Sequence, residues 1–272
     1  MKSSARRQRI IDALMEQGSV QVDDLATSLR VSRMTIHRDL DMLESDGIVC
    51  KVRGGATIQS NTLFESDFRY RERVALEEKR LLAEAAAELI EPGQAIILDG
   101  GTTIQALAPL LVQRRPLTVI TNSLGICTAL AEAPGISLIG LGGIYSRHYH
   151  GFMGALAERM LADLRANLLF MSTAAVCGRT AFHQDPQVAQ VKRAMIAAAE
   201  RRFLLVDHSK FGKTALNVLT DLTAFEAVFT GSALPQGVRR ELAGQGVTLR
   251  IVQVPERVGR PADMVIGSEV AP

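Results

Sequence analysis

The sequence predicts an α/β protein in which a winged helix-turn-helix precedes a larger α/β domain with a mostly parallel sheet. Two observations carry this prediction. Residues 22–40 hold two short apolar helix patterns separated by a tight turn, which is the outline of a helix-turn-helix. From residue 95 onward, short apolar runs alternate with amphipathic helices, as in a parallel sheet covered by helices. We expect the winged helix-turn-helix in residues 1–57, a linker in 58–78 and the α/β domain in 79–272.

Composition narrows the class of protein. The chain has 272 residues, of which 47% are hydrophobic and 22% charged, so it can bury a sizeable core. It has no run of about 18 apolar residues that would span a membrane, and no apolar segment that would make the N-terminus a secretory signal. Cys50, Cys127 and Cys177 are not spaced as metal ligands. We therefore expect a reduced cytoplasmic chain without a membrane segment, a metal or a cofactor.

The chain begins with two helices joined by an extended segment. The first helix ends near Gly18, and its apolar face is formed by Ile10, Ile11, Leu14 and Met15. Residues 19–22 are expected to be extended, and Asp23 or Asp24 can support the start of the second helix. The apolar face of that second helix is formed by Val22, Leu25, Ala26 and Leu29.

The third helix follows a break at residues 30–32. Ser32 is a suitable N-cap, because its hydroxyl can accept a backbone N–H two or three residues further on. Ile36, Leu40 and Leu43 fall on one side of the helix and are expected to face the core. The N-terminal part of a recognition helix contacts base edges in the major groove of DNA. The predicted DNA contacts on this helix are therefore Ser32, Arg33, Thr35, His37 and Arg38.

The segment after the third helix predicts a β-wing. Residues 48–57 alternate as strand residues do, and Gly54 with Gly55 suits a turn. Lys51 and Arg53 are then expected near DNA phosphates.

The placement of charge agrees with this interpretation. Residues 1–56 carry nine basic and eight acidic side chains, so their position matters more than their sum. The bases cluster at 6–9, 30–38 and 51–53. The acids collect further along the third helix, where they would be kept out of the groove: Asp39, Asp41, Glu44 and Asp46. A small helical bundle with solvated charges is the alternative interpretation.

The larger domain predicts a series of alternating strands and helices. A helix through residues 81–90 is expected to stop at Glu91-Pro92-Gly93. The expected strands are Ala95–Leu98, Leu117–Thr121, Ser137–Ile139, Leu168–Ser172, Phe203–Val206, Ala227–Thr230 and Thr248–Val252. The expected helices are Ile104–Leu111, Gly125–Ala131, Ala155–Leu164, Val188–Arg201 and Gln236–Ala243.

Four of these strands end in polar or glycine-rich segments. Ligands of parallel sheets bind at the carboxyl ends of strands, where small residues and hydroxyls can approach an anion. Each segment alone is a weak signal, because such turns are often structural. Asp99 could accept hydrogen bonds from sugar hydroxyls, and Lys192 and Lys210 could supply cations. The predicted effector-binding residues are Asp99, Gly101, Thr102, Thr103, Thr121, Asn122, Gly142, Gly143, Lys192, Asp207, Ser209 and Lys210.

Both halves resemble the DeoR family of bacterial transcription regulators. In the N-terminal half the resemblance rests on Leu25-Ala26, Val31-Ser32, Thr35-Ile36, Arg38-Asp39-Leu40, Leu43-Glu44, Gly47 and Gly54-Gly55-Ala56. In the C-terminal half it rests on Asp99–Thr103, Thr121–Leu124, Gly142–Gly143, Val191–Ile196 and Asp207–Gly212. The resemblance implies a sensor fold similar to ribose phosphate isomerase and a phosphorylated sugar or related effector. It also implies a homo-oligomer that binds double-stranded operator DNA and most often represses a sugar catabolic operon.

This chain departs from the family pattern at several positions. The family usually has Arg at the position of His37 and His at the position of Arg53, which bears on the operator sequence. Further departures are Asn167, residues 173–178, Val188 and Gln190, which we expect around one part of the pocket. They suggest an atypical effector such as a sugar acid.

Three alternative functions are compatible with parts of the sequence. His148 and His150 could belong to a metal site only with a third ligand, for which His183 or Asp185 is conceivable, so a surface or pocket loop is the better interpretation. An aldose–ketose phosphate isomerase would need a general base, and Asp99 is the one carboxylate in place. A winged helix that binds protein rather than DNA is the third alternative. We expect a regulator rather than an enzyme.

Overall fold

The N-terminal region of the computed structural model is a winged helix-turn-helix, as predicted. The structure describes residues 3–45, 49–58 and 68–255. Asp46 and the segment 59–67 of the expected linker therefore lie outside the described residues. The helices of this region are α1 (Ser3–Gln17), α2 (Val22–Leu29) and α3 (Arg33–Ser45). Its strands are β1 (Ser19–Gln21), β2 (Val49–Val52) and β3 (Gly55–Ile58), which form an antiparallel sheet in the order β1-β3-β2.

Local chemistry sets the turn between α2 and α3. Arg30 ends α2 in the left-handed conformation, with φ 53°, and its N–H returns to the carbonyls of the last helical turn. The Ser32 hydroxyl accepts the Thr35 N–H at 3.2 Å, which is the predicted N-cap. Ile36 and Leu40 are fully buried and pack in one cluster with α1 and the wing. The turn and the core together fix the direction in which α3 leaves the domain.

The wing differs from the prediction by one residue. The turn is formed by Arg53 and Gly54, with φ +78° at Gly54, and Gly55 already belongs to β3. A Cβ at Gly55 would lie 2.1 Å from the Val20 carbonyl oxygen, so only glycine lets β3 approach β1 at this point.

The larger region is built on one seven-stranded sheet in which all paired strands are parallel. Its strands are β4 (Ala95–Leu98), β5 (Leu117–Thr121), β6 (Ile136–Gly140), β9 (Ala166–Met171), β12 (Ala199–Leu205), β14 (Ala227–Gly231) and β15 (Leu249–Val252). Their order is β15-β14-β12-β9-β4-β5-β6. Helices cover both faces, because successive side chains of a buried strand point to opposite sides: Ile96 and Leu98 belong to one core, and Ile97 to the other.

The helices and small strands complete this region. The helices are α4 (Phe68–Arg73), α5 (Leu76–Ala87), α6 (Thr102–Gln105), α7 (Leu124–Leu130), α8 (Ala155–Ala162), α9 (Pro186–Ala197) and α10 (Gln236–Gly244). Short 3-10 turns cover Ala108–Gln113, His208–Lys210 and Leu222–Ala224. The remaining strands are β7 (Ile144–Ser146), β8 (Gly151–Met153), β10 (Ala175–Cys177), β11 (Thr180–His183) and β13 (Asn217–Asp221). β7 pairs with β8, and β10-β11-β13 form a second antiparallel sheet.

The predicted fold class is confirmed, with three local corrections. All seven strands of the main sheet were predicted, whereas the five short antiparallel strands were not. The helix predicted over 188–201 ends at Ala197, because residues 199–201 already pair with β9. The helix predicted over 104–111 is a four-residue α-helix followed by a 3-10 turn that starts beside Pro109. No described helix is long and apolar enough to cross a membrane.

Candidate functional site

The outer face of α3 carries the residues predicted to contact DNA. Ser32, Arg33, His37 and Arg38 are exposed, and Thr35 is half-buried. Met34 on the same face is 63% exposed, although it is apolar. A helix whose exposed side combines two arginines, a histidine and an apolar side chain matches the polar and methyl contacts that a major groove offers.

Acidic residues hold the basic side chains of this region in place. Arg33 pairs with Asp23 of α2 at 2.6 Å, with both side chains largely exposed. Lys51 of the wing pairs with Asp41, and its backbone N–H donates to Glu44 at 2.9 Å, while Arg53 at the wing tip is exposed. The C-terminal half of α3 therefore holds the wing in place through Asp41 and Glu44. These acids have a structural role in addition to the predicted one, which is to lie outside the DNA groove.

One acid of α3 is buried. The Asp39 carboxylate is 4% exposed and pairs with the Arg6 guanidinium of α1. That carboxylate raises the pKa of Arg6 through its hydrogen bond. Arg6 belongs to a basic cluster in the sequence, but its guanidinium forms a structural contact between α1 and α3.

A cavity opens at the carboxyl ends of β4, β5 and β9. It is lined by residues that follow these strands and by side chains from α4, the β7–β8 hairpin, β11 and α9. The lining residues are Arg71, Asp99, Gly100, Gly101, Asn122, Tyr149, Met153, Ser172, Thr173, Ala174, His183, Val188 and Lys192. This is the edge of the sheet at which parallel α/β folds place their ligands.

A buried ion pair lies at the base of the cavity. The Lys192 ammonium of α9 donates to the Asp99 carboxylate and, at 2.9 Å, to the Ser172 carbonyl. The second Asp99 contact comes from the backbone N–H of Ser172 at 2.6 Å, and the Gly101 N–H donates as well. Burial lowers the pKa of Lys192, while Asp99 opposes that shift. The Lys192 ammonium and the Asp99 carboxylate are therefore held in fixed positions, shielded from solvent, at the carboxyl ends of the strands.

Glycine is required beside this pair. A Cβ at Gly101 would lie 1.8 Å from the Ser172 hydroxyl oxygen. Glycine therefore lets the loop after β4 approach the loop after β9.

Two polar side chains of the cavity wall are almost completely buried. Asn122 donates its Nδ2 to the Phe152 carbonyl at 3.0 Å, and its Oδ1 has no hydrogen-bond partner in the described structure. His183 accepts the Asp185 N–H on Nδ1 at 3.2 Å. Burial, reinforced by the charges of Lys192 and Arg71, lowers the pKa of His183 to about 3. The imidazole is therefore neutral at physiological pH.

Four of the predicted effector residues line this cavity: Asp99, Gly101, Asn122 and Lys192. Thr102 and Thr103 follow in the first turn of α6, and the Thr102 hydroxyl lies 3.1 Å from the ammonium of Lys79. Thr121 is fully buried, and its hydroxyl accepts the Ser123 N–H at 3.1 Å, which is a turn contact.

The remaining predicted residues lie outside the cavity lining. A Cβ at Gly143 would lie 2.4 Å from the Met153 carbonyl oxygen, so this glycine serves close packing against β8. A Cβ at Gly142 would instead meet the Leu156 side chain of α8 at 3.2 Å. Asp207, Ser209 and Lys210 form the loop after β12, in which Asp207 accepts the Ser209 N–H at 3.2 Å.

That loop contacts α5 through a second group of buried charges. Glu78 accepts the backbone N–H groups of His208 and Gly231 at 2.9 and 3.0 Å, and it contacts the His208 ring at 2.6 Å. Burial lowers the pKa of Lys79 to about 8, although the Asp207 charge opposes that shift. Lys79 also donates to the carbonyl of Arg71. The charges of α5 therefore connect three strand-end loops to α4.

Sequence reasoning missed Arg71 and Ser172 as cavity residues, and it offers His183 only as a conceivable metal ligand. Thr173 and Val188 were expected near the pocket as family departures, and both line the cavity. The departures also do not cluster as expected. Val188 and the residues Thr173 and Ala174 line the cavity, whereas Asn167 accepts the Ala95 N–H at 2.9 Å at the opposite end of β9, and Gln190 is exposed.

The His148–His150 segment is a pocket loop of aromatic contacts. The rings of Tyr149 and His183 are 5.4 Å apart, and those of Phe68 and His150 are 5.0 Å apart. Within the described ranges, no three His, Cys, Asp or Glu side chains come together as metal ligands.

Comparison with known proteins gives two family matches. Residues 6–62 match the DeoR-like helix-turn-helix domain, and residues 74–232 match the DeoR C-terminal sensor domain. A protein of Escherichia coli O157:H7 assigned as an aga operon transcriptional repressor is 34% identical, with 92% of this chain and 94% of that protein covered. The L-fucose operon activator of Haemophilus influenzae is 32% identical, with 86% and 94% covered. The glycerol-3-phosphate regulon repressor of Escherichia coli K12 is 27% identical, with 92% and 100% covered.

Solved structures also include distant matches. Ribose 5-phosphate isomerase A of Methanocaldococcus jannaschii is 19% identical with a TM-score of 0.36, and 49% of this chain and 53% of that chain are covered. The translation initiation factor eIF-2B of Pyrococcus horikoshii OT3 is 15% identical with a TM-score of 0.40, with 59% and 64% covered.

Proposed function

Because the chain belongs to the DeoR family of helix-turn-helix transcription regulators, we propose that it represses an operon for sugar or sugar-acid catabolism. A phosphorylated sugar or a related sugar acid in the cavity would release it from its operator. Relatives named for the aga operon, the L-fucose operon and glycerol 3-phosphate support a carbohydrate role. One of them is an activator, so the sign of regulation is the first point to test.

The observation that carries this proposal is the charge of the cavity. Among the cavity-lining side chains of the described residues, Arg71 and Lys192 are basic, Asp99 is acidic, and His183 adds no charge because it is neutral. A desolvated site with an excess of basic groups favours an anionic ligand. Phosphate esters and sugar carboxylates are the anions that also carry the hydroxyls a polar wall can bind.

The DNA-binding side of the proposal rests on α3 and the wing. The residues proposed to contact double-stranded operator DNA are Ser32, Arg33, Thr35, His37, Arg38, Lys51 and Arg53. Those on α3 would contact bases, and Lys51 and Arg53 would contact phosphates. We also propose a homo-oligomer, since an operator with two half-sites requires two copies of α3, and a cytoplasmic location, where the DNA is.

The short helix α4 is the proposed link between cavity and DNA. Arg71 of α4 lines the cavity, and Arg73 of the same helix pairs with Asp12 of α1. A ligand anion that draws Arg71 inward would displace a helix that contacts the DNA-binding region. Two distinct sites and one shared element are what a coupling free energy requires.

We propose no isomerase activity. A general base must be able to take a proton from the substrate carbon. Asp99 instead accepts hydrogen bonds from Lys192, Gly101 and Ser172. Turnover of ribose 5-phosphate by the purified chain would contradict this part of the proposal.

The direct experiment measures DNA binding with and without candidate effectors. Fluorescence anisotropy with a duplex from the region upstream of the gene or its neighbours should give saturable, salt-dependent binding. Phosphorylated sugars and sugar acids should weaken this DNA binding. A reporter gene under the same promoter should be expressed more strongly in cells that lack the gene for this protein. Lower expression on deletion would identify an activator, and no binding at low salt would overturn the proposal.

A further inference from the structure

The wall of the cavity contains a hydrogen-bond acceptor on one side chain and a hydrogen-bond donor on another. The Asn122 amide is oriented by its bond from Nδ2 to the Phe152 carbonyl, so its Oδ1 is the atom left without a partner. Asn122 is 3% exposed and lines the cavity beside Gly100, whose added Cβ would lie 3.4 Å from this Oδ1. A buried acceptor without a partner is costly, so the site is set to receive an O–H or N–H group.

His183 supplies the donor. Its Nδ1 accepts the Asp185 N–H, and a neutral imidazole that accepts on one nitrogen carries its proton on the other. His183 is 4% exposed and lines the cavity near the Tyr149 ring. Its Nε2–H is therefore a neutral donor.

These two groups complement the charged part of the cavity. The Lys192 ammonium has three N–H donors, of which two go to Asp99 and Ser172. Lys192 and Arg71 suit the anionic group of a ligand, whereas Asn122 and His183 suit an uncharged group that both donates and accepts. A hydroxyl does both through one oxygen, and so do two neighbouring hydroxyls on one carbon chain.

We infer that Asn122 and His183 are specificity-determining residues that recognise hydroxyl groups of an anionic ligand in this cavity. Asn122 Oδ1 accepts from a ligand hydroxyl, and His183 Nε2–H donates to a ligand oxygen. This inference rests on the proposed function and narrows it to polyhydroxylated anions, with rejection of the deoxy analogue of the true effector. Rejection is strong in such sites because the analogue leaves the buried polar groups of the protein unpaired.

The experiment measures ligand binding by the full chain in the absence of DNA. Thermal shift and calorimetry would use ribose 5-phosphate, glucose 6-phosphate, glycerol 3-phosphate, ribonate and galactonate, with inorganic phosphate as the probe of anion binding alone. Each probe that binds is then compared with its monodeoxy analogues. We expect at least one analogue to bind about tenfold or more weakly than its parent, with inorganic phosphate weaker still.

Variants assign the discrimination to His183. His183→Phe keeps a planar ring but removes the donor, so the preference for the parent ligand should fall to within about threefold. His183→Gln is the matched control, because its side-chain N–H₂ can replace the Nε2–H, and it should keep most of the preference. Asn122→Ala removes the acceptor and should also lower the preference for the parent ligand in the same assay, with the melting temperature of each variant as the folding check.

The possible outcomes distinguish failure of this inference from failure of the proposed function. A chain that binds a polyhydroxylated anion but treats its deoxy analogues equally, or His183→Phe with undiminished discrimination, overturns the inference alone. A chain that binds its DNA but none of the sugar phosphates or sugar acids overturns both the inference and the proposed effector.

Discussion

The DNA-binding region and the sensor region treat their charges in opposite ways. On α3 and the wing, Arg38 and Arg53 are exposed, and the Arg33–Asp23 pair is mostly exposed. At the strand ends of the sensor, Asp99 and Lys192 are buried and bind each other. A surface that meets a long polyanion can remain hydrated until binding, whereas a cavity for one small anion must be desolvated beforehand. Substitutions of the exposed charges on α3 and the wing should therefore affect DNA binding, whereas loss of the buried Asp99–Lys192 pair should affect folding.

The largest expected effect comes from the buried pair. Lys192→Met leaves the Asp99 carboxylate buried without its cation, so we expect the free energy of unfolding to fall by about 3–5 kcal/mol. Arg33→Met, at an exposed pair, should change it by less than about 1 kcal/mol. Urea unfolding of both variants measures the contrast. Equal small losses would show that the two regions do not differ in this respect.

Acid should destabilise the sensor through His183. Its pKa is lowered to about 3 in the folded chain, so on acidification from pH 7 to pH 5 the unfolded chain takes up a proton that the folded chain does not. Stability that is present above the unfolded pKa is then lost as the pH falls, by about 2 kcal/mol at pH 5.

His183→Gln isolates this effect, because it removes the titrating group and leaves the others. Its unfolding free energy should fall less between pH 7 and pH 5 than that of the unaltered protein. Parallel pH profiles for the two would contradict the assignment.

DNA affinity should depend on Arg38 without a change in stability. Arg38→Ala removes an exposed guanidinium from α3, and we expect about tenfold weaker binding to the operator with an unchanged melting temperature. Arg159→Ala, at an exposed position on α8, is the matched control and should bind as the unaltered protein does. If both variants bind equally well, α3 is not the DNA-reading helix.

The smallest expected effect tests the link between the regions. Arg73 and Asp12 are partly exposed, so Arg73→Ala should change stability by less than about 1 kcal/mol. The factor by which the effector weakens DNA binding should nevertheless decrease, while effector affinity without DNA is retained.

A charge exchange gives the control for this pair. The double variant Asp12→Arg with Arg73→Asp should recover the response that Arg73→Ala loses. An effector response that is full in Arg73→Ala would remove α4 from the coupling.

The sequence predicts the sheet better than it predicts the cavity. The inner strands of the main sheet are largely buried on both faces, so they leave continuous apolar runs such as Ile96–Leu98. The short strands leave no such run: Ile144 of β7 is 71% exposed and Val218 of β13 is 56% exposed. Their pairing depends on chain segments far apart in sequence, which local periodicity does not encode.

The same reason explains which site residues were predictable. Asp99 and Asn122 directly follow predicted strands, so the rule for parallel sheets finds them. Arg71 comes from the segment expected to be a linker, and His183 comes from a strand that was not predicted. Arg71 and His183 can be recognised as cavity residues only from the three-dimensional structure, which brings them to the strand ends.

The Arg6–Asp39 contact has a practical consequence for the preparation of this protein. Arg6 lies near the start of α1, while Asp39 is the neighbour of Arg38 on α3. Truncation of the chain beyond residue 6 removes the Arg6 guanidinium and leaves the Asp39 carboxylate buried without its partner. A purification tag that distorts the first turn of α1 would have the same effect. Material handled in that way will underestimate operator affinity, so an affinity handle belongs at the carboxyl end.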